Sequence, residues 1–324
     1  MPTPDFSIII TTRNRPVMFE AALKSVLSQQ DVSLEVVVVN DGSAAAYLED
    51  YKKLEEKYSG KVKFFYLIQS LNGHGQSYAI NQGVLNATGT FIGFLDDDDY
   101  WIDNKHLARC LAAFKAEDQD VAIYCSLQEA WLDGKQLSAP IWLEKNLNAL
   151  VKTKAKMPNV YYCQRADLVA NGVFAQVNVF IIRRAHFLAV GGFDENLRYE
   201  CDREFYLRAV DAVDHALFTD MYVSKHHVPN PAKADNMSTA LQGMVKLQYQ
   251  LTLFTKLMIS AQSVEVRREA KAGQGYTLKH MAVQLAAQKQ HKNAARFAGM
   301  ALLSQFSFKW LGYYVYLLGR SLLP

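Results

Sequence analysis

No run of apolar residues in this 324-residue chain reaches the roughly 20 positions that a membrane-spanning helix needs. The nearest approach is the C-terminal "FKWLGYYVYLLGRSLLP", where only residues 310–319 lie between Lys309 and Arg320. The start, "MPTPDFSIII", lacks the basic residues and long apolar core of a secretion signal, so the expected location is cytoplasmic. The four cysteines, Cys110, Cys125, Cys163 and Cys201, form no C-x-x-C pair, which argues for reduced thiols over a disulfide framework or a zinc site. Low-complexity segments and internal repeats are absent, which excludes fibrous and solenoid architectures.

What is present is ordinary globular composition, 50% hydrophobic and 21% charged, enough for one large domain or one domain with an appendage. The net charge of +3 is unevenly spread. Residues 240–324 carry 11 Lys or Arg against Glu265 and Glu269, or +9, and the remainder holds 24 bases and 30 acids, or −6. An acidic body and a basic tail predict two units, residues 1–238 and 239–324.

Short β-rich runs, "FSIII", "LEVVVVN", "KVKFFYLI" and "FIGFL", alternate with segments of helical spacing. In one of these Phe19, Leu23, Val26 and Leu27 recur behind Pro16; a second runs from 47 to 58; a third is "GQSYAINQGVLNAT". Strands apolar on both faces, alternating with helices, predict an α/β fold with a mostly parallel, Rossmann-like sheet covered on both faces. "VAIYC", "VFAQVNVFIIRR" and "ALFTDMYVSK" read as further strands, and the chain beyond Thr239 reads as a helical extension.

Ligands of such sheets bind outside the carboxyl ends of the strands. Three polar clusters fall there: "TTRN" at 11–14, "NDGS" at 40–43 and "DDDD" at 96–99. In an extended segment Asp96 and Asp98 share one side, roughly 6–7 Å apart, and each ionised pair repels by about 2 kcal/mol at an effective dielectric near 20. Beside a buried strand such a run requires protonation or a cation.

"SIIITTRNRP", "LEVVVVNDGS", "GTFIGFLDDDDYW", "AVGGFDENLRYECDREFYLR" and "SKHH", in this order over roughly residues 5–230, resemble the family 2 glycosyltransferases, which have the GT-A fold. The resemblance implies transfer of one sugar, with inversion, from a UDP-, dTDP- or GDP-sugar to a hydroxyl of a glycan or lipid-linked glycan, assisted by Mg²⁺ or Mn²⁺. The acidic run matches the family's DXD motif. Asp96 and Asp98 become its anchors, Asp98 the direct metal ligand, and Asp97 lies near the ribose; a hard cation on carboxylates stabilises a diphosphate leaving group. Asp99 and Asp103 read instead as caps of the following helix. Asp41 is implied to accept from the base, with Gly42 admitting the backbone.

Thr11 and Arg13 are implied at the base or diphosphate, Arg15 at the surface, Gly73 and Gly75 beside the nucleotide, and Gln76 hydrogen-bonded to it. Asp202 takes the role of general base toward the acceptor hydroxyl, with Glu200 and Glu204 as competitors. His226 is implied at the diphosphate or metal. The chain departs from the family at Thr11 (commonly Pro), Asn40 (often Asp), Ile80 (often Arg) and Cys201 (usually Glu).

The tail interleaves Trp and Tyr with Lys and Arg, which suits peripheral contact with an anionic membrane on its inner face and equally suits helices packed with a cationic outer side. Its aromatics cluster apart from most of its charges, which argues against nucleic acid. Two other classes stay open: a nucleotidyltransferase making sugar nucleotides, although "TTRNRP" has no glycine for its loop, and a non-catalytic nucleotide-sugar binding protein. The absence of long apolar runs and of Q-x-x-R-W argues against a processive polymer synthase.

Overall fold

The computed structural model describes residues 3–117, 121–230, 232, 239, 241 and 243–322. The chain forms two compact units, Met1–Leu168 with Val173–Asn230, and Val169–Gly172 with Pro231–Pro324. The boundary expected after residue 238 lies outside the described residues.

In the first unit β1 (Phe6–Thr12), α1 (Pro16–Leu27), β2 (Leu34–Asn40), α2 (Ala45–Lys57), β3 (Val62–Tyr66), α3 (Gln76–Leu85) and β4 (Phe91–Asp96) alternate. The chain continues through β5 (Tyr100–Trp101), α4 (His106–Ala116), β6 (Ile123–Leu132), β7 (Lys135–Gln136), α5 (Leu147–Leu150), β8 (Thr153–Lys154) and β9 (Val160–Gln164). After them come α6 (Arg165–Val169), β10 (Phe180–Arg183), α7 (Arg184–Ala189), α8 (Cys201–Asp211) and β11 (His215–His227).

The sheet order is β3-β2-β1-β4-β10-β6-β11-β9-β8, with β5 on β11 and β7 on β6. β1 pairs in parallel with β2 and β4, β2 with β3, and β6 with β11, while β10 runs antiparallel to both β4 and β6. Successive side chains of a strand point to opposite faces, so a strand buried on both sides needs a helix over each. Phe19, Ala22, Leu23 and Val26 of α1 pack with Phe6, Ile8, Ile10, Val36 and Val38. On the other face α3 comes so close that a Cβ on Gly83 would stand 2.5 Å from Ile9 Cγ2.

Two strands differ from the sequence expectation. Within "VFAQVNVFIIRR" only Phe180–Arg183 is extended, because Val177–Val179 closes a 3₁₀ turn in which the Gln176 side chain accepts from Asn178 N. β11 runs on to His227, with irregular register between Phe218 and Ser224.

The second unit carries α9 (Met244–Ser260), α10 (Val264–Ala287), α11 (His291–Ser304) and α12 (Phe308–Ser321). Ser263 and Ser307 cap α10 and α12 by accepting from Val266 N and Trp310 N. Small residues let the helices approach: Ala282, Ala294, Ala295 and Ala298 form a core with Leu285 and Leu317. Among the described residues no helix is long and apolar enough to cross a membrane. All four cysteines are buried and free of disulfides.

Candidate active site

Register places the polar strand ends side by side. Thr12 pairs with Asn40 and Thr11 with Asp96, so the three clusters share one edge of the sheet. Short bonds stitch them together. Asp41 N donates to Thr12 O (2.9 Å), Asn14 N to Ser43 Oγ (2.9 Å), and Ala44 N to Asn14 Oδ1 (2.8 Å).

Each carboxylate of the acidic run has a different setting. Asp96 accepts from Gln76 Nε2 (2.7 Å) and Gln176 Nε2 (2.6 Å). Asp97 accepts from Thr12 Oγ1 (2.7 Å). Asp98 pairs with Arg15 Nη1 (2.9 Å), which also reaches Asp97 (3.4 Å). Asp99 is fully buried and accepts from Asn178 Nδ2 (2.5 Å), His226 Nδ1 (2.6 Å) and His227 N (2.6 Å). The reading of Asp99 as a solvated cap is therefore corrected: β11 runs far enough to lay two histidines on it. Asp103 does serve the start of α4, accepting from Lys105 N (2.9 Å) and pairing with Arg109.

The electrostatics follow from burial. Asp96 is pushed well above the usual carboxylate range by desolvation, then by the charges of Asp99 and Asp98. Asp97 and Asp98 are raised by desolvation and by a neighbouring aspartate, with Arg15 opposing in both. For Asp99 burial alone would raise the pKa, but His226 and His227 outweigh it and hold it low. Burial opposes a charge on His226, yet the attraction of Asp99, Asp96 and Asp98 keeps its pKa raised.

Three carboxylates that the protein itself leaves short of positive charge fit a hard cation, whose preferred donors are such oxygens. His226 fits as well, because Asp99 engages its Nδ1, and a metal-bound imidazole commonly ligates through the other nitrogen. Among the described residues no three His, Cys, Asp or Glu side chains are grouped so as to hold a metal ion by themselves. A cation here would take one or two protein ligands and complete its shell with ligand oxygens or water.

Asp41 and the glycine loop make a second group. Asp41 accepts from His74 N (2.8 Å), His74 Nδ1 (2.9 Å) and Gly75 N (3.0 Å). A Cβ on Gly73 would stand 2.5 Å from Asp41 Oδ2 at a φ of +65°, so only glycine suits the position. Arg13 donates to Ser70 O (3.1 Å) and Leu71 O (3.0 Å), and Arg198 to the carbonyls of Asn72, Gly73 and His74 (3.1 Å each), clamping this loop from both sides.

α8 starts at Cys201 behind Glu200, which sits in the left-handed region at φ 55°. Asp202 accepts from Arg203 N (2.8 Å), and burial, with the charge of Glu200 adding, raises its pKa to about 6. Glu204 is bound to Arg208 at 2.6 Å, which in turn donates to Val190 O and Gly192 O, so it belongs to the packing of α8. Glu200 pairs with Arg203 (3.4 Å). Cys201 Sγ lies 3.8 Å from Gln76 Oε1, and Gln76 links onward to Asp96, so α8 and the acidic run meet at one side chain.

Arg15, Gln176, Asn178 and Arg198 are the contributors that sequence reasoning missed. Arg15 carried a signal, being with Arg13 one of two cations within a turn of the end of β1. The others lie in a 3₁₀ turn and a loop, where no periodicity marks them.

The family model for glycosyl transferase family 2 matches residues 7–167. An uncharacterised glycosyltransferase of Rickettsia typhi is 24% identical over 265 residues, 82% of this chain and 76% of that protein. Among solved structures, Staphylococcus aureus TarS 1–349 in complex with UDP-GlcNAc superposes with a TM-score of 0.65 at 18% identity, over 93% of this chain and 81% of that one. The mannosyltransferase PcManGT of Pyrobaculum calidifontis, in complex with GDP-Man and Mn²⁺, gives 0.60 at 16% identity, over 99% and 87%. At these identities the likeness is one of fold.

Proposed function

The chain belongs to glycosyl transferase family 2 and has the GT-A fold, and from that premise we propose that it moves one sugar, with inversion, from a nucleotide-diphosphate sugar to a hydroxyl of a glycan or lipid-linked glycan. The observation that carries the reading is the meeting, at one sheet edge, of a buried, cation-poor acidic run with a separate carboxylate, Asp202, whose pKa of about 6 suits proton removal near neutrality. The complexes of TarS with UDP-GlcNAc and of PcManGT with GDP-Man and Mn²⁺ support a nucleotide-sugar donor and a divalent metal for this fold.

Asp98, with Asp96 or His226 as a second protein ligand, would hold Mg²⁺ or Mn²⁺, which when bound neutralises charge developing on the departing diphosphate. Asp41 and the loop from Gly73 to Gly75 receive the base, and Thr11 and Arg13 border it. Thr12 fixes the Asp97 carboxylate toward the ribose, while Gln76 and Gln176 orient Asp96. Asp202 takes the acceptor hydroxyl's proton as that oxygen attacks the anomeric carbon from the face opposite the diphosphate. The proton ends on Asp202, the new glycosidic bond forms at the attacked carbon, and the nucleoside diphosphate leaves with the bonding pair.

In the second unit Phe308, Leu311, Val315, Leu318 and Leu322 recur at spacings of three and four along α12, all solvent-exposed, from 36% at Leu311 to 85% at Leu322. An apolar stripe flanked by Lys309 and Arg320, within a segment of net charge +9, favours docking on an anionic lipid surface.

The test of the main reading is thermal stabilisation by UDP, GDP, dTDP and CDP, with Mn²⁺ and with EDTA, for the wild type and Asp98→Ala. A nucleotide at a hundred times its Kd adds about 2.7 kcal/mol. Stabilisation by one nucleotide, dependent on metal and on Asp98, is expected; none from any nucleotide would overturn the proposal.

A further inference from the structure

The segment that carries Asp202 is fastened along α3 and the glycine loop before it. Asn81 Nδ2 donates to Phe193 O (2.9 Å) and to Glu195 Oε1 (2.8 Å), and Asn81 Oδ1 accepts from Phe193 N (2.9 Å). One turn nearer the start of α3, the buried Ser77 donates through Oγ to Leu197 O (3.2 Å). At the first residue of the helix Gln76 meets Cys201. The segment thus runs back along α3 toward the glycine loop.

Arg198 carries this seam past the end of the helix. Its Nη1 donates to Asn72 O, and its Nη2 to Gly73 O and His74 O, at 3.1 Å each. Carbonyls of a loop without secondary structure must find donors elsewhere. Five in a row are met here by two guanidiniums, Ser70 and Leu71 by Arg13 and Asn72 to His74 by Arg198. The two arginines come from different places. Arg13 follows β1 directly, whereas Arg198 stands four residues before Asp202. The amide side of the same loop, His74 N and Gly75 N, is held by Asp41 (2.8 and 3.0 Å). One short loop therefore has Asp41 on its N–H groups and Arg198 on its carbonyls.

The planar fork of an arginine presents five donors in fixed directions, so it grips several acceptors at once where a lysine ammonium is a point charge on a flexible stem. Because Arg198 binds backbone carbonyls, it responds to the path of the loop: when the peptides of 72–74 turn, it must follow or let go. Little slack lies beyond it. Glu200 sits in the left-handed region at φ 55°, and α8 begins at the next residue. A residue other than glycine keeps that conformation only where its surroundings enforce it. A shift of Arg198 is passed in this way to the first turn of α8, where Asp202 stands.

We propose that Arg198 is a positioning residue for Asp202: it ties the loop that receives the nucleotide to the start of α8, so that filling the nucleotide pocket orders the general base. The inference rests on the glycosyl-transfer reading above and names a coupling within it.

Hydrogen–deuterium exchange of the full chain, followed by mass spectrometry with UDP, GDP, dTDP or CDP and Mn²⁺, reads both ends of the tie. In the wild type a nucleotide that binds should slow exchange in residues 72–76 and, by about fivefold or more, in residues 198–203. In Arg198→Met the protection of 72–76 should persist while that of 198–203 disappears. A purely structural role would instead speed exchange in both segments, with and without nucleotide, and leave the protection ratio as it was. Arg198→Lys should recover part of the protection at 198–203. It also carries the test if Arg198→Met does not fold, since its ratio there should still fall below the wild-type value. Protection confined to 72–76 in the wild type, or a ratio at 198–203 unchanged in the variants, would overturn the inference and leave the transfer reading standing. Protection of neither segment by any nucleotide would overturn both.

Discussion

Asp202 offers the sharpest prediction, because its environment fixes both a magnitude and a direction. Burial, then the charge of Glu200, raises its carboxyl to about 6, against 3.8 for an ordinary aspartate. A base works only when ionised. About 90% of Asp202 is ionised at pH 7 and about 10% at pH 5. The acid limb of kcat/KM should therefore bend near pH 6, falling about tenfold per unit below it, where an unperturbed aspartate would stay active for two units more. Asp202→Asn should remove about 10²–10⁴ of the rate, or about 3–5 kcal/mol of barrier, with nucleotide stabilisation unchanged. Glu200→Gln should move the limb to lower pH, since it removes a repelling charge. Glu204→Gln should leave the limb in place and lower the melting temperature, because Glu204 is committed to Arg208. Release of nucleoside diphosphate, followed from pH 4.5 to 8 by a coupled assay, reads all four proteins. An unmoved limb in Glu200→Gln, or turnover retained in Asp202→Asn, would refute the assignment of the base.

Three further outcomes follow from other parts of the molecule. Arg15→Met strips the guanidinium from Asp98 and Asp97, so the variant should melt lower in EDTA and gain more from Mn²⁺ than the wild type does; an equal gain in both would show that Arg15 does not offset the carboxylates. Glu35 accepts from Ser7 Oγ, Thr88 N and Gly89 N and pairs with Lys63, and these contacts outweigh burial to hold its pKa at about 2. A depressed carboxyl stabilises the fold above its unfolded pKa, so Glu35→Ala should cost about 2 kcal/mol at pH 7 and progressively less as pH falls from about 4.5 toward 2, in urea titrations at each pH. Val315→Asp on α12 should abolish co-sedimentation with phosphatidylserine vesicles while nucleotide stabilisation persists, and binding that survives would remove the membrane reading.

The alternation of strands and helices up to β4 was legible because each element there is local: apolar runs for strands, a 3.6-residue period behind Pro16 for α1. The meeting of the polar clusters at the carboxyl edge of the strands followed from topology, and the acidic run announced itself by repulsion. What stayed hidden depends on contacts across the chain. Arg15 reaches Asp98 from 83 residues away, Gln176 reaches Asp96 from 80, and His226 reaches Asp99 from 127. Nothing local in "FAQVNVF" shows that a 3₁₀ turn will interrupt the strand and send Gln176 and Asn178 into the acidic run. The misreading of Asp99 has the same origin: aspartate before a helix is a common cap, and only the length of β11 decides otherwise.

Gln76 shows why the two halves of the site stand or fall together. It opens α3, so its backbone is positioned by the glycine loop that Asp41, Arg13 and Arg198 hold. Its Nε2 then orients Asp96, and its Oε1 meets Cys201 at the start of α8, one residue before Asp202. A ligand that orders the loop through Asp41 thereby sets the side chain lying between the acidic run and Asp202. The loop, the run and α8 come from sequence segments with no local signal in common. Their convergence on one amide brings the proposed donor and acceptor sides within reach of each other, an arrangement that a binding protein without chemistry would not need.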